Sequence, residues 1–208
     1  MIRTGAGRPR GTAVQSTERK AEILQNAAIV FAEQGYTGAS TRQIAAAAGV
    51  NIGTLAYHFG DKEGLYLAVL DHLYGQLLVM EFPELSGMPL EQRVRTVMVH
   101  LYSFVRRRRN VVRVLLRHVM EHGRLPDAVR ERWMGRTLER VGELEMALDI
   151  GSLAEKRLPL LSLNHLLARY VVTDPKDLEW ISGEGEVHAQ IAEHLADVAV
   201  SLLCVNTD

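Results

Sequence analysis

Cysteine is nearly absent from this chain of 208 residues, aromatic residues make up only 6%, and no long apolar run occurs. The single Cys204 excludes an intramolecular disulfide and leaves no thiol pair for a cysteine-based metal site. No stretch reaches the ~18 consecutive apolar residues of a membrane-spanning helix, and Met1-Ile-Arg-Thr-Gly does not lead into a signal-peptide core. A cytoplasmic protein with no membrane partner is therefore expected. The period-two alternation of a half-buried strand is missing as well, so the chain is predicted to be all-α. Neither sign of charge dominates, and the formal net charge is −1.

The distribution of charge says more than its sum. Residues 1–62 carry seven Lys or Arg against four acids, and 63–208 carry 17 against 21. A basic N-terminal portion on an acidic body suggests one segment that meets phosphates and another with a different task. The first 15 residues place Gly5, Gly7, Pro9 and Gly11 among arginines with no apolar period. This arm is expected to be flexible when free, and Arg8 and Arg10 within it suit a narrow minor groove. It resembles an AT-hook.

Local signals are densest over residues 40–62. Ser40 is placed to cap a helix, with Gln43 completing a capping box, and Ile44, Ala45 and Ala48 form a small apolar face. Gly49 suits a left-handed helix exit. Asn51 restarts a helix as its N-cap, with Leu55 and Phe59 on the buried side and Asn51, Ile52, Thr54, Tyr57 and His58 on the other. That is the layout of a helix-turn-helix whose second helix enters a DNA major groove; an ordinary helical hairpin shares the spacing. Ahead of it, Leu24, Ala27, Ala28 and Phe31 predict a helix over 17–34 that stops at Gly35. Behind it, Asp61 is expected to cap a long helix to about Phe82, weakened by Gly64 and Gly75, with a linker over 83–89.

Residues 17–70 resemble the DNA-binding domain of the TetR family of bacterial transcriptional regulators. The likeness is carried by Ile23-Leu24, Ala28, Phe31, Gly35-Tyr36, Thr41, Ile44-Ala45, Ala48-Gly49-Val50, Gly53-Thr54-Leu55, Tyr57-His58-Phe59, Asp61-Lys62-Glu63 and Leu65. The resemblance implies a homodimer on a near-palindromic double-stranded operator, released by a small-molecule effector, with no cofactor and no enzymatic activity. It implies that Thr41 and Arg42 open the helix facing the DNA backbone, and that Tyr57, His58 and Lys62 contact phosphates. Ile52, Gly53 and Thr54 would then approach base edges, with Asn51 among the DNA-binding residues. Two positions depart from the family pattern. Ala56 replaces an aromatic residue and reduces one DNA contact, and Gly64 stands where an acidic residue completes a helix cap.

The remainder reads as helices over 90–108, 111–123, 126–148, 159–173 and 186–204. The expected organisation is a basic arm (1–16), a three-helix helix-turn-helix domain (17–62) and a helical-bundle effector and dimerisation domain (63–208), joined by the helix over 61–82. Polar groups among the apolar residues of 90–173 make Met98, Tyr102, His118, Met134, Asn164 and His165 candidates for an effector pocket. The stripe Val187, Ile191, Leu195, Val198 and Leu202, with Leu163, Leu167 and Tyr170, is the expected dimer interface, being too apolar to leave wet. His118-Val-Met-Glu121-His122 matches a zinc-protease pattern, which leaves a helical metal-binding enzyme as an alternative reading. A helical protein-interaction module is another. No metal site is expected here, because five residues on a lone helix are a weak signal. Arg106–Arg109 is read as a solvated helix end.

Overall fold

The computed structural model describes residues 13–149, 151, 155–183 and 185–204. Arg8 and Arg10 therefore lie outside the described residues. The chain divides into two compact units, Met1–Val69 and Leu70–Asp208, and every regular element among the described residues is α-helix. No described helix is long and apolar enough to cross a membrane.

The first unit contains α1 (Ala13–Gly38), α2 (Thr41–Ala47), α3 (Ile52–Phe59) and the start of α4 (Lys62–Leu77). The predicted stop at Gly35 is a kink: its φ of 71° breaks the helical path, and one further turn follows to Gly38. That conformation is open to glycine at little cost. The kink turns Tyr36 back so that Phe31, Tyr36 and Tyr66 cluster, with Phe31 edge-on to Tyr66 at 4.9 Å between centroids. Such a pair adds about 0.5–1.5 kcal/mol beyond its area burial. Ile23, Ala27, Ile44, Leu55, Leu65 and Val69 complete a closed apolar interior.

The second unit holds the end of α4 with α5 (Leu90–Arg106), α6 (Arg109–His122), α7 (Asp127–Leu148), α8 (Arg157–Val172), α9 (Pro175–Ser182) and α10 (Val187–Leu203). Helix α10 lies along α5 and beside α8. Val94, Met98, Tyr102, Leu163, Ile191 and Leu195 are buried together between them.

Four expectations need correction. Helix α4 ends at Leu77 rather than near Phe82. Gly75 sits in the last turn, and the Leu78 amide closes a tighter bond to the Gly75 carbonyl. Helix α8 begins two residues before Pro159, which the first turn accepts because amides there lack helical partners. Helix α9 was not expected. Asp174-Pro175 reads as the close of one helix but opens the next: Asp174 accepts the Lys176 amide and Pro175 takes the first helical position. The arginine run is also only partly solvated. Arg109 donates to the Val172 and Thr173 carbonyls at 3.2 and 3.1 Å, closing the C-terminus of α8.

Candidate nucleic-acid interface and ligand cavity

Local chemistry fixes the turn between α2 and α3 at both ends. The Ser40 hydroxyl accepts the Gln43 amide at 3.2 Å, and the Gln43 side chain returns a bond to the Ser40 amide at 3.0 Å. Gly49 leaves α2 at φ 60°. Asn51 Oδ1 then accepts both the Thr54 amide (2.7 Å) and the Thr54 hydroxyl (3.0 Å), starting α3. The Asn51 carbonyl oxygen is thus committed to the cap, and the Thr54 hydroxyl keeps only its lone pairs for an outside partner. A Cβ at Gly53 would stand 3.2 Å from Asn51 Oδ1, so Gly53 leaves room for the cap as well as for close approach to a ligand.

From that frame α3 buries Leu55 and presents Ile52, 47% exposed, and Tyr57, 85% exposed, to solvent. Arg42, Asn51 and Gly53 are exposed, and Thr41, Thr54 and His58 are half-buried. Tyr57 stands edge-on to His58 at 5.1 Å. Phe59 is half-buried rather than a core residue, with the Lys20 ammonium 5.6 Å from its ring centre. Lys62 does not extend freely. Its ammonium lies 4.6 Å over the Tyr36 ring and 3.5 Å from the Thr37 carbonyl. Ala56 is exposed on α3, beside Tyr57. Asp61 caps α4 by accepting the Gly64 amide at 2.8 Å. A Cβ at Gly64 would lie 2.2 Å from the Phe59 carbonyl oxygen, so a side chain is sterically excluded where the family pattern carries an acid.

Sequence spacing did not single out Arg19 and Lys20. Arg19 Nη2 donates to the Gly49 carbonyl at 2.9 Å and Nη1 pairs with Glu22 at 2.7 Å, so α1 pins the turn from a position 30 residues away. No local periodicity marks such a contact.

In the second unit a cavity of about 270 Å³ is lined mainly by α5, α7 and α8, with Leu77 of α4, Val112 of α6 and Leu203 of α10. Of the predicted pocket residues, Met98 and Asn164 line it. Tyr102 does not line it. It is buried and hydrogen-bonded to His188 Nδ1 at 2.8 Å, and burial pushes its phenol pKa up. His118 is buried elsewhere, its ring stacked on His122 at 4.3 Å, and burial followed by the neighbouring His122 holds its pKa below the ordinary value. Met134, 47% exposed, and His165 are surface residues. No described group of three His, Cys, Asp or Glu is placed to hold a metal, and His122 Nδ1 is spent on the His118 carbonyl at 3.0 Å.

The stripe on α10 is also placed differently. Val187, Ile191 and Leu195 are buried against the chain's own α5, as are Leu163 and Leu167 of α8. The reason given for an intermolecular interface, an uncovered apolar stripe, does not hold for these five. Val198 and Tyr170 are half-buried and Leu202 is 37% exposed.

The capped pair α2–α3 has the arrangement of a helix-turn-helix, the class of motif whose second helix enters a DNA major groove. The family model described as bacterial regulatory proteins, tetR family, matches residues 23–69. Over 53 residues the chain is 47% identical to the HTH-type transcriptional repressor AcnR of Corynebacterium glutamicum, covering 26% of this chain and 28% of that protein. It is 29% identical over 118 residues to the HTH-type transcriptional repressor NicS of Pseudomonas putida, 56% of each chain. The chain thus spans between about a quarter and just over half of these curated relatives. The fold extends further: a TetR family transcription regulator from Marinobacter aquaeolei VT8 superposes with a TM-score of 0.66 at 21% identity, covering 91% of this chain and 98% of that one.

Proposed function

We propose that this protein is a sequence-specific DNA-binding transcriptional regulator, most simply a repressor, released from a near-palindromic operator by a small molecule. One observation carries the reading. Helix α3 is locked at its start by the Asn51 cap and pinned by Arg19, yet turns Ile52 and Tyr57 to solvent with small Gly53 and Thr54 between. A rigid helix with a short, exposed face is what major-groove entry requires. Tyr57, His58, Arg42 and Thr41 supply backbone contacts; Ile52, Gly53 and Thr54 approach base edges. Lys62 joins them by leaving the Tyr36 ring for a phosphate, and Arg8 and Arg10 of the arm add minor-groove charge. The operator is met by a homodimer. The effector occupies the cavity that Leu77 helps to line, and because α4 runs unbroken from Leu77 to Lys62, a shift of its last turn is carried along that helix.

The test is genome-wide capture of bound DNA followed by titration of a recovered site. Binding in the nanomolar range that weakens steeply between about 50 and 200 mM salt supports the reading. Salt-independent association, or recovery of no enriched sequence, would remove it.

A further inference from the structure

The lining of the cavity is chemically one-sided. Val94 and Met98 of α5, Leu148 of α7, Leu163 of α8 and Leu77 of α4 are aliphatic or thioether groups, and Asn164 is the only polar side chain among the described lining residues. None of those residues is charged or aromatic. A buried anion or cation would find no partner, a heavy penalty in a low-dielectric site, and a planar cation would find neither a carboxylate nor a ring face. Asn164 is itself exposed, which places the one hydrogen-bonding group at the mouth and leaves the interior dry. An amide both donates and accepts, so it suits a hydroxyl or carbonyl without requiring charge.

We infer that the effector is an amphiphile, with an uncharged, unbranched or lightly branched aliphatic chain inside the cavity and one hydrogen-bonding head group at Asn164. A cavity of about 270 Å³ sets an upper bound on the length of chain that can be buried. An empty apolar space in a close-packed interior is unfavourable, so occupancy stabilises the second unit. The assignment rests on the ligand-responsive reading above and names the chemistry of its ligand.

The experiment is calorimetric titration of the full chain with 1-alkanols of increasing length, with decanoate and decylamine as charged counterparts. Affinity is expected to rise about fourfold per added methylene, the factor for burying one such group, and to stop rising once the cavity is full. The charged counterparts are expected to gain nothing over decanol, because no charged side chain lines the cavity. Ala168→Phe and, separately, Leu144→Phe fill the space and are expected to abolish binding, each checked for an unchanged or raised melting temperature. Asn164→Leu is expected to keep the chain-length dependence and to lose the preference for 1-nonanol over 1-chlorononane. Decanoate or decylamine binding tenfold more tightly than decanol, affinity independent of chain length, or binding that survives in a folded cavity-filled variant would overturn the assignment. A DNA-release assay is run separately. Alkanols that bind without weakening DNA association leave the ligand chemistry standing and remove the regulatory reading. DNA binding with no alkanol binding does the reverse.

Discussion

Asp71 on α4 accepts the indole N–H of Trp133 on α7 at 2.9 Å, and its other oxygen takes Arg132 at 3.0 Å. The indole is thereby held against Gly75, where an added Cβ would stand 2.9 Å from two ring carbons. Helix propensity alone would make Gly75→Ala stabilising by about 1 kcal/mol. Overpacking against a held ring costs about 1–3 kcal/mol, so the steric effect wins. Gly75→Ala is expected to lower stability by roughly 1 kcal/mol in urea denaturation. In a Trp133→Ala background the same change should become stabilising. A stabilised Gly75→Ala single variant would mean that the indole is not held where Asp71 places it.

The start of α3 depends on one oxygen. Asn51→Ala removes the acceptor for the Thr54 amide and hydroxyl and is expected to cost about 1 kcal/mol, whereas Asn51→Asp keeps the cap. Thermal unfolding compares the variants directly. Equal stability of the Ala and Asp variants would assign the cap no role.

Elements whose signals are local were legible in the sequence. Ser40 with Gln43, Gly49, and Asn51 act within three or four residues of themselves, and each was recoverable from spacing alone. Which neighbour covers a face is not a local property. The α10 stripe has the period of a buried surface, but period does not say whether the cover is α5 of the same chain or a second copy. Arg19 to Gly49, Asp71 to Trp133 and Arg109 to α8 join residues far apart in sequence. Asp174-Pro175 was misread for a different reason, since the dipeptide that ends one helix is also a good beginning for another.

Tyr57 and Thr54 should separate affinity from specificity. Tyr57 is 85% exposed, so Tyr57→Ala is expected to leave stability within about 0.5 kcal/mol while weakening binding to all DNA sequences alike. Thr54→Ala should relax base preference by about 1–3 kcal/mol at one position of each half-site if its oxygen meets a base. Anisotropy titrations on operator and scrambled DNA read both. A Tyr57→Ala variant that loses only operator binding would reverse the assignment.

Three imidazoles tie stability to pH. Burial is the largest cause holding His72, His118 and His188 below the ordinary value of 6.5. A lowered histidine pKa means that the unfolded chain binds the proton more readily, so stability rises with pH. The contribution is complete above 6.5, begins to fall as pH drops through 6.5, and is lost once pH passes below the folded-state value. The melting temperature is expected to decline from pH 7.5 to 5, and less steeply in His118→Gln. An unchanged slope in that variant would place the proton uptake on the other two.

The oligomeric state offers a sharp contrast between two faces of α8 and α10. Ile191 and Leu195 are 6% and 0% exposed against the chain's own core, so Ile191→Glu with Leu195→Glu buries two unpaired carboxylates and is expected to unfold the second unit. A homodimer joined through these helices must use what faces outward instead: Leu158 at 76% and Leu161 at 48% exposure on α8, with Leu202 at 37% on α10. Leu161→Glu combined with Leu202→Glu is expected to keep the helical circular dichroism while halving the mass found by light scattering. Charge at an apolar interface centre is poorly tolerated, whereas at a solvated surface it costs little. A dimer that persists in that folded double variant would move the interface to another face, and a folded monomer from the Ile191 and Leu195 pair would return it to the inner stripe.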